Sequence, residues 1–236
     1  MDQILDRSEF IQKLNEQFRF DPKSTAVVTI DMHRGHLDPE VATLPVPAER
    51  AARVLENSGR LLRAAREAGL PVVHVVLVKR PIENANPRPF HRAVVAAKAS
   101  LTPHVPSPSN LPGHNLEGSV QTELMPQVGP EPGDYVIDNK KTLSIFYGTD
   151  LEYLLKTLKV ETLIFLGINT NTCVQCACFD ASNRLYTLAV ISDCADSMYG
   201  SDLHTFALQN IARCMGWVLT TEEFLAKLEK VMARAS

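Results

Sequence analysis

No run of apolar residues in this chain approaches the roughly 20 that a membrane-spanning helix needs. The opening Met1-Asp2-Gln3-Ile4-Leu5-Asp6-Arg7 also lacks the apolar core of an export signal, so a cytoplasmic protein with no membrane partner is expected. Nor is there an excess of positive charge: 24 basic side chains stand against 27 acidic ones, a net charge of -3. That balance gives no electrostatic reason to expect nucleic acid or an anionic lipid surface. The five cysteines are an odd number, and without an export signal they read as thiols rather than as a disulfide framework. Internal repeats and low-complexity tracts are missing too. The 236 residues, 45% hydrophobic and 22% charged, are therefore read as one globular domain spanning 1–236.

What is present is an alternation of strand and helix. Buried strands are expected at Ala26–Ile30, Pro71–Val78, Tyr135–Asp138, Thr162–Leu166, Leu185–Ile191 and Trp217–Leu219, each rich in β-branched or apolar residues. Between them the apolar spacing predicts helices over 48–68, which Gly69 terminates, and over about 149–158, 173–183 and 202–214. A last helix is capped after Thr220-Thr221-Glu222-Glu223. A polar leading segment with Phe10, Ile11 and Leu14 reads as a short helix, over about 8–19, lying on the body or on a neighbouring subunit. The alternation implies an α/β fold with three α/β/α layers around a mainly parallel six-stranded sheet.

Nine of the fifteen prolines fall between residues 79 and 130, so the segment 79–133 cannot be regular throughout, although a short helix is expected near 91–98. Long irregular stretches inside compact domains are commonly binding loops. The segment is read as a pocket-forming insertion; the alternative is a solvated excursion with no role.

Chemistry gathers at strand ends. Cys173 stands where the strand 162–166 turns into a helix, beside free backbone N–H groups and the positive end of a helix dipole, both of which favour a thiolate. Asp31 ends the first strand and Lys140 follows the third, so a parallel sheet brings all three to one edge. A thiol that acts as a nucleophile needs a base for its proton and a positive charge for the resulting anion. A carboxylate and an ammonium supply those parts. Cys176 and Cys178 with Cys173 suggest a zinc or redox motif, but a structural zinc needs four ligands and Cys194 and Cys214 are isolated, so these two read as small packing residues.

The motifs Ile30-Asp31-Met32, Lys140 with Ser144, Phe146 and Thr149-Asp150-Leu151, and Gly167-Ile168-Asn169-Thr170-Asn171-Thr172-Cys173-Val174 together resemble the isochorismatase-like cysteine hydrolase superfamily. The resemblance runs over about residues 25–220. Members of that group hydrolyse carbamoyl compounds, ureides and nicotinamide. It implies a Rossmann-like fold and a catalytic triad of Asp31, Lys140 and Cys173, with Lys140 preferred over Lys141 because the family's lysine lies nine residues before the threonine that starts the next helix. It also implies a cis peptide at Ile168-Asn169, which would turn the N–H groups of Asn169 and Cys173 towards one point as an oxyanion hole. No cofactor is implied. Oligomers are common in the family, and a homo-oligomer, a tetramer above all, is expected.

The chain departs from the family's pattern at His33, where glutamine is usual, and at His36, where an aromatic or apolar residue often stands. These histidines either line the pocket or hydrogen-bond the loop. Nicotinamidases in the family carry a metal site built on an Asp-x-His motif. None occurs between residues 45 and 139, although His74, His91, His104 and His114 are scattered there, so no metal is expected. The function implied is cleavage of a carbon-nitrogen bond in a small amide through a thioester, with release of ammonia or an amine. The presence of Cys173 argues against the vinyl-ether hydrolysis of isochorismatases proper, and an intact triad argues against a purely binding role. Asn169 and Asn171, with His33 and His36, suit a ureide or carbamoyl compound. Alternatively Arg80, Arg88 or Arg92 clamps the carboxylate of a carbamoyl amino acid or maleamate-type amide.

Overall fold

The computed structural model describes residues 5–96 and 113–235. Helix α1 (Ser8–Glu16) leads into β1 (Thr25–Ile30), the short α2 (Arg34–Leu37), the long α3 (Ala48–Glu67) and β2 (Val72–Leu77). Two short helices follow, α4 (Pro81–Ala85) and α5 (Pro89–Ala96), then β3 (Tyr135–Lys140) and α6 (Leu151–Thr157). Strand β4 (Thr162–Ile168) runs through a wide π turn at Thr170–Val174 into α7 (Gln175–Asn183). The chain ends with β5 (Thr187–Asp196), α8 (Ser201–Cys214), β6 (Trp217–Leu219) and α9 (Thr221–Ala235). Among the described residues no helix is long and apolar enough to cross a membrane.

The six strands form one sheet in the order β3-β2-β1-β4-β5-β6, with every neighbouring pair parallel. All seven residues of β4 are buried, because helices cover both faces. Alternation divides its side chains. Ile164 and Leu166 pack with Val54, Leu61 and Leu62 of α3 and with Phe224 and Leu228 of α9. Leu163 and Phe165 pack with Leu151, Leu155, Ala177 and Ile211 of α6, α7 and α8. The strand order reverses between β1 and β4, and at such a switch point the loops that leave the strands part to form a crevice. Ile30 is paired there with Gly167. Gly167 has φ +133, and a Cβ on it would meet the Ile30 carbonyl oxygen at 2.1 Å, so only glycine allows the two strand ends to run this close.

Several boundaries differ from the sequence expectation. Strand β3 extends to Lys140, which makes the lysine a strand residue. Helix α6 begins at Leu151 rather than Thr149, whose hydroxyl accepts the Leu151 N–H at 3.4 Å. Strand β5 starts at Thr187, since Leu185 takes φ +66 in an exposed turn, and it continues to Asp196. An irregularity between Phe165 and Gly167 shifts the register so that Ile168 pairs with Asp196. The helix expected at 91–98 is Pro89–Ala96. Residues 97–112, with Lys98, His104, Pro103, Pro106, Pro108 and Pro112, lie outside the described residues. The stretch that follows is tied to the strand ends by bridges between Lys79 and Leu116 and between His33 and Leu124.

Candidate active site

Asp31 is the first residue beyond β1 and takes φ +52, a left-handed conformation that costs a non-glycine residue about 1 kcal/mol or more. Two contacts hold it there. Its N–H donates to the Val75 carbonyl at 2.9 Å, and its Oδ1 accepts the Leu77 N–H at 2.8 Å. Its Oδ2 lies 2.5 Å from Lys140 Nζ, and the same Nζ lies 3.2 Å from Cys173 Sγ. Asp31 and Lys140 are fully buried and Cys173 is 6% exposed. The three expected residues therefore meet, with the ammonium between the carboxylate and the sulfur. Lys141 is elsewhere: its Nζ donates to the Val78 carbonyl at 2.6 Å and faces Glu83 at 3.6 Å.

Burial works against the charge on Asp31, but the adjacent Lys140 ammonium outweighs it and holds the carboxyl below its ordinary range. Burial likewise works against the Lys140 ammonium, and Asp31 and Cys173 together keep it above the ordinary lysine value. The sulfur goes the other way. Burial pushes the Cys173 thiol up to about 12, with Lys140 pulling down and Asp31 pushing further up. The resting site is thus carboxylate, ammonium and thiol, whereas the position at a helix start predicts a thiolate. Desolvation of the sulfur and the negative Asp31 beside it override the helix terminus.

The peptide Ile168-Asn169 is cis. The carbonyl of Asn169 accepts N–H groups from Thr172 and Val174, on either side of Cys173, at 3.1 and 3.2 Å. The side chains of Asn169 and Asn171 are anchored through their oxygens. Met198 N–H donates to Asn169 Oδ1 at 2.9 Å, and Ser197 Oγ donates to Asn171 Oδ1 at 2.7 Å. Only their NH₂ groups remain for another partner.

His33 and His36 stack with centroids 4.7 Å apart, and His114 joins them at 4.9 Å from His36. All three are buried. His36 Nδ1 donates to the Leu44 carbonyl at 2.8 Å, and His114 Nδ1 pairs with Thr43 Oγ1 at 2.5 Å. Asn115 was not visible as a site residue in the sequence, yet its Nδ2 donates to the Leu77 carbonyl at 3.0 Å and to His33 Nε2 at 2.7 Å. His33 Nε2 must then accept, which puts the ring proton on Nδ1. Among the described residues His33 Nδ1 and Asn115 Oδ1 are both buried without a protein partner, a donor and an acceptor near Asp31. Gly35 lies between them, where a Cβ would meet Asn115 Oδ1 at 2.4 Å and His33 Nδ1 at 3.0 Å. Burial first, then the charge of His36, pulls His33 well below the ordinary imidazole range, with Asp31 opposing. His36 and His114 are also lowered, chiefly by burial.

Of the three candidate arginines, Arg80 is bound to Glu83 of α4 and Arg92 donates to the Pro87 carbonyl at 2.7 Å. Arg88 has no side-chain partner among the described residues. Cys178 of α7 is fully buried in the core, and Cys176 Sγ lies 3.9 Å from Asp180. Cys194 lies 3.2 Å from Thr221 Oγ1, and Cys214 is exposed. Among the described residues no group of three or more His, Cys, Asp or Glu side chains is arranged to hold a metal ion. A cleft of about 700 Å³ opens nearby, bordered by Val76, Val78, Arg80, Val136 and Asp138. None of Asp31, Lys140 and Cys173 lines it.

The chain resembles proteins of known family over nearly its whole length. It is 31% identical over 231 residues to the ureidoacrylate amidohydrolase RutB of Methylorubrum extorquens, covering 93% of this chain and 88% of that protein. A cysteine hydrolase of Pseudomonas syringae pv. phaseolicola shares the fold with a TM-score of 0.75 at 23% identity, over 91% of this chain and 97% of that one. N-carbamoylsarcosine amidase of Thermoplasma acidophilum does so with a TM-score of 0.63 at 22% identity, over 84% and 96%. The isochorismatase domain model matches residues 25–223, a span that holds the whole sheet and all three residues of the buried triad, and the chain belongs to the isochorismatase family.

Proposed function

We propose that this hydrolase of non-peptide carbon-nitrogen bonds cleaves a small ureide or carbamoyl-type amide through a thioester on Cys173. The observation that carries the reading is the Lys140 ammonium standing 2.5 Å from Asp31 and 3.2 Å from the Cys173 sulfur. Asp31, which shares the Lys140 ammonium with the thiol, takes its proton as the sulfur attacks the substrate carbonyl carbon. Lys140 stays charged and offsets the negative charge passing between sulfur and carboxylate. The carbonyl oxygen becomes an oxyanion, which the N–H groups of Asn169 and Cys173 receive. Asp31, now a carboxylic acid, gives its proton to the departing nitrogen, so ammonia or an amine leaves and the acyl group remains on sulfur. The regenerated carboxylate removes a proton from water, the hydroxide attacks the thioester, and the returning proton restores the thiol.

A resting thiol fits this sequence of steps, because the proton that Asp31 needs for the leaving group comes from Cys173 itself. The amidohydrolase named for ureidoacrylate, at 31% identity over nearly the full chain, supports a ureide as substrate class. The unpartnered donor at His33 Nδ1 and acceptor at Asn115 Oδ1 match a group that, like a ureide, carries both N–H and C=O.

Ammonia release across biuret-like ureides, N-carbamoyl amino acids, maleamate and nicotinamide, with acid-quench mass spectrometry of the protein, tests the reading. The expected result is turnover of a ureide or carbamoyl compound, with the acyl mass on the peptide that contains Cys173 and both signals lost in Cys173→Ala. Turnover that survives in Cys173→Ala, or activity confined to nicotinamide, overturns it.

A further inference from the structure

The residues between the end of β4 and Cys173 carry the backbone N–H groups that receive the oxyanion in the proposed mechanism. Such donors stabilise a developing charge only if they are fixed before it appears, so whatever holds this turn sets how well it works. No side chain caps the turn at Asn169. Its side chains are held instead by the chain that leaves β5. Met198 N–H donates to Asn169 Oδ1 at 2.9 Å, His204 Nδ1 pairs with Thr170 Oγ1 at 2.8 Å, and Ser197 Oγ donates to Asn171 Oδ1 at 2.7 Å. Three consecutive residues before the nucleophile are thus gripped from one neighbouring stretch. The pairing of Ile168 with Asp196 sets the two stretches side by side.

Of the three partners Ser197 is the most firmly held. It is fully buried. Its N–H donates to Asp196 Oδ1 at 2.6 Å, its carbonyl accepts Arg50 Nη2 at 3.1 Å, and its Oγ accepts the Tyr199 N–H at 3.1 Å. Arg50 and Arg53 of α3 fix Asp196 in turn, each at 2.7 Å. A hydroxyl has a single proton to give, and here it goes to Asn171. That side chain is partly exposed, two residues before Cys173, and among the described residues it has no other hydrogen-bond partner. Ser197 alone therefore fixes it.

We propose that Ser197 is a positioning residue for the oxyanion turn: through Asn171 it holds the backbone donors in place, and it has no part in activating the sulfur. The inference rests on the acyl-transfer reading, but its test needs no amide substrate.

Propanal and iodoacetamide separate the two tasks. When the Cys173 thiol adds to propanal, an S–C bond forms, the C=O π bond breaks, and the thiol proton passes to the new oxygen, which takes the place of the oxyanion. Alkylation by iodoacetamide forms an S–C bond as iodide leaves and the thiol proton passes to Asp31, and no charge develops on an oxygen. Propanal binding is read as protection of Cys173 from alkylation, with fragment-ion mass spectrometry locating the label. Ser197→Ala should bind propanal about tenfold more weakly than wild type, the scale of one hydrogen bond to an oxyanion. Its alkylation without aldehyde should change by less than about twofold, which excludes a folding defect. Asn171→Ala should weaken binding equally, and the double variant no further, because both changes remove one contact. No protection of wild type by propanal, equal protection in Ser197→Ala, a parallel loss of alkylation, or additive losses in the double variant overturns the proposal. Protection that depends on Ser197 in a protein that hydrolyses no amide would sink the amidohydrolase reading and leave the positioning role standing. Amide hydrolysis that is lost in Cys173→Ala but has an unchanged kcat in Ser197→Ala would do the reverse.

Discussion

Two buried carboxylates, Asp31 and Asp196, stand at the ends of strands in the same sheet, and their partners differ in kind. Asp196, the last residue of β5, has Arg50 Nη1 at 2.7 Å from Oδ1 and Arg53 Nη2 at 2.7 Å from Oδ2. It also receives the Ser197 N–H at 2.6 Å. Guanidinium groups do not give up protons at any ordinary pH, and neither arginine passes its charge to a third group. Asp196 is a strut between β5 and α3. Asp31 has one ammonium, and that ammonium also touches a thiol. Burial and ion pairing are thus common to both. What distinguishes Asp31 is a cation shared with a thiol.

Replacing each carboxylate by its amide is the most direct way to break that contrast. On the proposed mechanism Asp31→Asn removes the base and the acid together, and kcat/KM should fall by about 10³-fold or more. Asp196→Asn should lower stability by about 2 kcal/mol, a value reduced for the half-exposed Arg53, while kcat/KM stays within about tenfold. Kinetics at a temperature where both variants give the far-ultraviolet spectrum of the folded protein decides the matter. Equal losses of activity would place Asp196 in the reaction or remove Asp31 from it.

The ionic state of the pair sharpens the contrast further. Asp31 has a folded-state value below its unfolded one, so its contribution to stability is complete above about pH 4 and is lost as pH falls through the lowered value. Lys140 has a raised value, so its contribution is complete below about pH 10.4 and is lost as pH rises through the folded one. The double variant Asp31→Asn/Lys140→Met lacks both charges. Wild-type stability minus that of the double variant, from urea melts, should be level between about pH 5 and 10 and decline on either side. A difference that stays level down to pH 3 would mean that Asp31 is not held as a carboxylate by Lys140.

A smaller effect is expected from Asn115→Ala, which takes the donor from both His33 Nε2 and the Leu77 carbonyl. Two buried acceptors lose their partner, at a cost of about 1 to 3 kcal/mol, and Leu77 is the residue whose N–H holds Asp31 Oδ1. Nitrogen NMR of His33 should find the proton on Nδ1 in the wild type and lose that bias in the variant. A proton on Nε2 in the wild type would show that the contact to Asn115 runs the other way.

The sheet was legible in the sequence because helices cover β1 and β4 on both faces, so their residues are apolar without alternation. The meeting of Asp31, Lys140 and Cys173 at one edge followed from strand ends, and Lys140 rather than Lys141 is the lysine that lies there. The end of β5 was hidden by Ser192, Asp193 and Asp196, polar residues that continue the strand, with Arg50 and Arg53 of α3 reaching Asp196 at its tip. His33 and His36 are close in sequence, but His114 and Asn115 reach them only through the path of the chain after α5. The helix start favours a thiolate at Cys173, and burial works against it, which a local rule for helix termini does not register.

Arg80 supplies the smallest effect. In sequence it is one of three arginines with a claim on a substrate carboxylate. In the fold Arg80 is exposed and bound to Glu83, whose other oxygen also takes the Arg80 N–H at 2.8 Å and faces Lys141 at 3.6 Å. Arg80→Ala leaves Glu83 to Lys141, and an exposed pair of this kind adds little to stability. The ratio of kcat/KM for an N-carbamoyl acid to that for its neutral carboxamide should change by less than about twofold in Arg80→Ala. A change of about tenfold or more would mean that Arg80 gives up Glu83 to hold the acid.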